Sequence, residues 1–143
     1  MKVFITLTKK KLCLIFAVTV IAIIITGQAM SLDLNKIDGS TNALRAAYIK
    51  SLDLSVDDSD VTFKKTLIPE SFNDIYKKYN SIQRQAGFDL SQYKGKSVEV
   101  YTYSLFSPAD YKVHLIVCDN VIIGGDVASV KLEGEMLPLN FMK

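Results

Sequence analysis

Tryptophan is absent from the 143 residues, histidine occurs once, cysteine twice and proline three times. Each shortage excludes something. A single histidine, His114, leaves a zinc centre short of ligands, because such centres draw on several His or Cys side chains. Cys13 falls in the leading apolar run, so Cys118 is the one thiol beyond it and no internal disulfide can form there. Cys118 reads as a small buried apolar residue on a strand. Acids are missing from the first 30 residues, where Lys2, Lys9, Lys10 and Lys11 carry all the charge. The chain from Ser31 onward therefore holds 13 basic residues against 15 acidic ones. It has no Lys/Arg stripe to displace phosphate counterions, which excludes a nucleic-acid partner.

What is present begins with Leu12–Thr26, 15 residues without a charge. A positive segment followed by an apolar one is the pattern of export, and the positive-inside rule keeps the lysines cytoplasmic. Residues 1–30 are thus expected to be a signal or anchor segment and 31–40 a polar tether, leaving 41–143 as a domain outside the cell membrane. Extension through Gly27, Ala29 and Met30 approaches the roughly 20 residues that cross hydrocarbon. A retained single-pass anchor and a secreted form cut after Ala29 both stay open.

The exported part reads as one domain. Ser40 or Thr41 caps a short helix carrying Ala43, Leu44, Ala47, Tyr48 and Leu52 at helical spacing. Asp57-Asp58-Ser59-Asp60 reads as a turn before a strand from Val61 to Ile68. Those acids lack the glycine and closing glutamate of a calcium loop, which makes them a solvated turn. Residues 69–86 are expected to be helical, with Pro69 in the first turn, Phe72, Ile75, Tyr76, Tyr79 and Ile82 on one face, and Gly87 closing the end with Phe88 folded back. Strands then cover Ser97–Phe106, Tyr111–Cys118 and Val121–Leu132, with Asp119-Asn120 as a two-residue hairpin turn. The order predicts an α+β fold: an antiparallel sheet, a three-stranded meander plus one further strand, packed against two helices on one face.

Chemistry is sparse. His114 and Cys118 share a strand about 13 Å apart, too far to pair, so His114 reads as a core-edge or solvent-facing side chain. Gly124-Gly125-Asp126 lacks the frame of a phosphate loop and reads as a bulge or as a kink that contacts a ligand. Tyrosines beside Asn80 and Gln83 suit packing, or recognition of a peptide or glycan. The residues singled out for binding are Tyr79, Asn80, Gln83, Gly124, Gly125 and Asp126, with no catalytic residue, metal ligand or cofactor expected.

The strings Ile68-Pro69-Glu70-Ser71-Phe72, Tyr76 to Asn80, Gly87-Phe88-Asp89-Leu90, Tyr93-Lys94-Gly95-Lys96 and Ile123-Gly124-Gly125-Asp126-Val127 resemble a family of small bacterial membrane-anchored proteins whose shared domain has no known function. The resemblance spans roughly residues 41–137 and implies an extracytoplasmic domain behind one hydrophobic segment. It brings no ligand or activity, and Asp53-Leu54-Ser55-Val56 depart from its usual Gly-aromatic pair. The first expectation is a non-catalytic, membrane-tethered domain that binds an envelope protein, a peptide or a glycan. An envelope hydrolase or isomerase using Glu70, Glu99 or Asp126, and a structural subunit of a membrane assembly, are the alternatives.

Overall fold

The computed structural model describes residues 36–142. The leading apolar segment and the first part of the tether lie outside them. The folded unit starts at Lys36, so Ile37 to Gly39 belong to the domain and not to a tether: β1 (Ile37–Asp38) pairs with the start of β5, and Gly39 N–H bonds the Asn120 carbonyl at 2.8 Å. Then come α1 (Asn42–Ser51), β2 (Val56–Leu67), α2 (Asp74–Gln85), a short 3-10 turn at Leu90–Tyr93, β3 (Ser97–Leu105), β4 (Tyr111–Cys118), β5 (Val121–Ser129) and β6 (Met136–Pro138).

The fold is α+β, as the order of elements implies. Six strands form one sheet in the order β1-β5-β4-β3-β2, with β6 on the same edge of β5 as β1, and every pairing is antiparallel. The helices do not share a face, as expected from sequence, but take opposite ones. Ile49 of α1 and Leu52 just after it join Tyr103, Leu105, Val113 and Leu115, whereas Tyr76 and Tyr79 of α2 pack with Val98, Ile116 and Ile123. Alternate residues of β3 and β4 point to opposite sides, and both sides of these strands are apolar, so each side needs a cover.

Local chemistry fixes the ends. Thr41 Oγ1 accepts the Leu44 N–H at 3.3 Å and starts α1. Arg45 is buried, its Nε donating to the Tyr103 hydroxyl at 2.9 Å and its guanidinium lying 3.6 Å from the centre of the Tyr101 ring. The second helix begins at Asp74 and not at Pro69. Up to Ile68 the chain is still held extended, with Ile68 N–H on the Lys96 carbonyl (2.9 Å) and the Ile68 carbonyl on Gly95 N–H (2.8 Å). Asn73 then supplies the cap, Oδ1 accepting the Tyr76 N–H at 2.8 Å. At the far end Gly87, with φ +87°, donates to Arg84 and Phe88 donates to Gln83, which is the expected Schellman closure. Asp57–Asp60 is not a turn before the strand. It lies inside β2, where Asp58, Ser59 and Asp60 bulge out between the Asp57–Ser104 and Val61–Tyr103 pairs.

On β5 the extra residue is Ile123, one position ahead of the Gly-Gly pair: Val117 faces Ile122, yet Ile116 faces Gly124. The glycines are needed for close approach. A Cβ on Gly124 would stand 2.7 Å from Gln83 Oε1, and one on Gly125 2.3 Å from the His114 carbonyl oxygen. Gln83 is fully buried and its Oε1 accepts the Gly125 N–H at 2.7 Å, filling the stretch of β5 edge that β1 and β6 leave uncovered. Replacing Gln83 by Leu orphans that buried N–H, and urea unfolding should show a loss of about 2 kcal/mol. Gly125→Ala, which drives a methyl into backbone, should cost more, roughly 3 kcal/mol.

Candidate functional site

The α2 face of the sheet is only partly covered. Leu90 and the tyrosines of α2 close it over Ile116, Cys118 and Ile123. Beyond α2 the face opens into a cleft of about 440 Å³ whose sides include Ile68, Val98, Val100, Ile116, Tyr76 and Met136, with Thr62, Thr66 and Lys64 on the β2 side. Its floor is polar. Thr102 of β3, His114 of β4 and Asp126 of β5 lie directly across from one another in adjacent strands, and Tyr79 reaches them from α2.

Asp126 is the centre of this group. Its residue is 2 % exposed, yet both oxygens are used: the Tyr79 hydroxyl donates to Oδ2 at 2.8 Å, and His114 Nδ1 stands 2.8 Å from Oδ1. With a carboxylate at Asp126, His114 Nδ1 is the donor in that second contact. Burial, reinforced by the Asp126 charge, drives the Tyr79 phenol far above its ordinary value of 10.0. The phenol is thereby held as a hydrogen-bond donor. Helix spacing sets the rest: Tyr79 and Gln83, four apart on α2, meet the consecutive β5 residues Asp126 and Gly125.

The bulge decides which face Asp126 takes. An uninterrupted hairpin around Asp119-Asn120 continues the Cys118–Val121 and Val117–Ile122 register and sets His114 opposite Gly125, turning Asp126 toward α1. The extra residue at Ile123 shifts the register by one and places Asp126 beside His114.

Of the residues singled out from sequence, Tyr79 and Asp126 line the cleft together. Gln83, Gly124 and Gly125 lie buried beneath α2 as packing. Asn80 is turned elsewhere: its Nδ2 donates to Asp89 at 2.9 Å, its Oδ1 accepts the Leu90 N–H at 2.8 Å, and it borders a separate depression with Lys77, Arg84 and Lys94. The Asn80 amide, with Ser91 and Arg84, holds the Asp89 carboxyl far below its usual range. Glu70 and Glu99 are absent from the cleft lining; Glu99 accepts from Tyr101 at 2.7 Å and pairs with Lys65 at 3.4 Å. His114, expected as a core-edge or solvent-facing side chain, is a further member of the cleft lining. Cys118 is buried, and desolvation raises its thiol. Among the described residues no group of three or more His, Cys, Asp or Glu side chains is placed to hold a metal ion.

Comparison with known proteins identifies the same stretch of chain. Residues 48–127 match the family described as a domain of unknown function, DUF4830. The chain belongs to that family. The match takes in the end of α1 from Tyr48, then β2, α2, β3, β4 and β5 as far as Val127, and so contains the whole Tyr79–His114–Asp126 group. No curated protein matches the chain, and no solved structure does.

Because the Tyr79 phenol is raised in the folded state, it keeps its proton where the unfolded phenol has lost it. Its contribution to stability is present below about pH 10 and declines as pH rises above that point. In guanidinium unfolding between pH 9 and 11, the wild type should therefore lose stability more steeply than Tyr79→Phe. Equal slopes would contradict the buried Tyr79–Asp126 bond.

Proposed function

We propose that this DUF4830 chain is a non-catalytic binding domain, tethered outside a bacterial cytoplasmic membrane by Leu12–Thr26, and that its cleft receives an apolar or aromatic side chain of an extended peptide. The tether rests on the sequence pattern of lysines ahead of an uncharged run; among the described residues no helix is long and apolar enough to cross a membrane. The observation that carries the binding reading is the fixed polar floor inside an open apolar cleft. Asp126 immobilises His114 and Tyr79 before any ligand arrives, so a partner meets one hydrogen-bonding pattern rather than several. Apolar walls with few convergent polar groups, at about 440 Å³, are the usual make-up of a ligand site.

The test uses the full chain in detergent micelles, with a library of short peptides and a matching set of disaccharides as probes. Binding is followed by the His114 imidazole and Tyr79 ring signals in NMR spectra. Peptides with an aromatic or branched aliphatic residue should shift both, and Thr102→Trp, which fills the floor of the cleft, should remove the effect. If disaccharides alone act, or if Thr102→Trp binds peptides as the wild type does, the reading fails.

One observation favours acid–base catalysis as a second reading: a buried carboxylate orienting the only histidine beside an open cleft is also how a general base is held. A two-carboxylate mechanism has less support, since Asp126 is the one carboxylate among the cleft residues.

A further inference from the structure

The two edges of the sheet are treated differently. Along β5 the outer edge is covered by β1, by the Gln83 carboxamide and by β6 in turn. At the opposite end of the strand order stands β2, which pairs with β3 on one side and with no strand on the other among the described residues. It is also the longest strand, at 12 residues. Thr62 to Leu67 are all exposed, so neither helix covers them, and Phe63 and Leu67 are 62 % and 59 % accessible.

The backbone of that edge is available in a regular row. Ile68 N–H bonds the Lys96 carbonyl, so in the register that follows, Thr62, Lys64 and Thr66 turn their backbone groups to β3. Val61, Phe63, Lys65 and Leu67 then turn theirs outward. An edge of this length without a partner is a template for another strand. Charge selects which strand. Asp57, Asp58 and Asp60 stand at one end of β2 and Lys64 and Lys65 at the other. Parallel addition of a second copy sets like on like, whereas antiparallel addition sets acid on base. Lysines and a bulge guard an edge against indiscriminate pairing; here they leave one self-complementary arrangement open.

We propose that β2 pairs with β2 of a second copy of this chain, antiparallel about a two-fold axis at Thr62, joining the six strands of each copy into one continuous sheet. In that register Val61 faces Phe63 of the second copy and Asp60 faces its Lys64, each contact made twice by symmetry. The proposal is independent of what the cleft binds.

The experiment uses the full chain in detergent micelles, in a Cys13→Ser, Cys118→Ser background. Light scattering corrected for detergent should give the mass of two chains. Thr62→Cys lies on the axis, where facing Cα atoms are about 4.5 to 5.5 Å apart, and should give a disulfide-linked dimer on mild oxidation. Lys65→Cys, separated from its symmetry mate by about 20 Å at the strand rise, should not. Asp60→Lys should weaken association about tenfold, and Asp60→Lys combined with Lys64→Asp should restore it. A single-chain mass at every concentration, equal cross-linking at the two cysteine positions, or a dimer indifferent to Asp60→Lys would each overturn the proposal; the last would assign association to the N-terminal segment.

Discussion

Tyr79 and Gln83, one helical turn apart, bind Asp126 and Gly125, which are consecutive on β5, and the placement of α2 depends on that double tie. Apolar burial alone does not supply it. Few apolar side chains of α2 itself enter the core: its buried residues are Asn80 and Gln83, and Ile75 is exposed. A hydrogen bond to a buried acceptor contributes modestly when made but costs more when one partner is left alone. The helix is therefore held in one position by groups that tolerate no slippage. Gly124 and Gly125 are the complement of this arrangement, since any side chain there would push the carboxamide or the neighbouring strand away.

The cleft follows from where that tie is made. The helix crosses toward the β5 edge and leaves the β2 and β3 portion of the same face without a lid. Asp126 then serves two purposes at once. It anchors the helix through Tyr79 and presents His114 to the open side, so the stability of the domain and the chemistry of its cleft share one carboxylate. The other face is built differently, with Arg45 stacked on Tyr101 and bonded to Tyr103 beneath α1, and it closes fully over Val113 and Leu115.

Much of this fold was legible in the sequence, for physical reasons. Alternation in Tyr111–Cys118 and the Asp119-Asn120 turn, where both residues take positive φ, specify β4, β5 and their hairpin. Gly87 and Phe88 specify the end of α2. The start of that helix was not legible, because Pro69 is a good first-turn residue whose position is overruled by pairing of Ile68 with Gly95 and Lys96, distant in sequence. Strand parity hid the site itself. Counting from the hairpin pairs His114 with Gly125, and only the extra residue at Ile123, which has no signature beyond the glycine that follows it, brings Asp126 onto the right face. Two of the six residues singled out for binding, Tyr79 and Asp126, line the cleft; the other four answer to packing and capping.

A double-mutant cycle between Tyr79→Phe and Asp126→Ala, read as equilibrium unfolding free energies at pH 7, tests the tie between helix and strand most directly. The predicted result is a coupling of about 1 to 2 kcal/mol, because either substitution alone already removes the bond and the second then adds less. Strictly additive effects would contradict the account, since they would mean that the phenol and the carboxylate stabilise the domain independently.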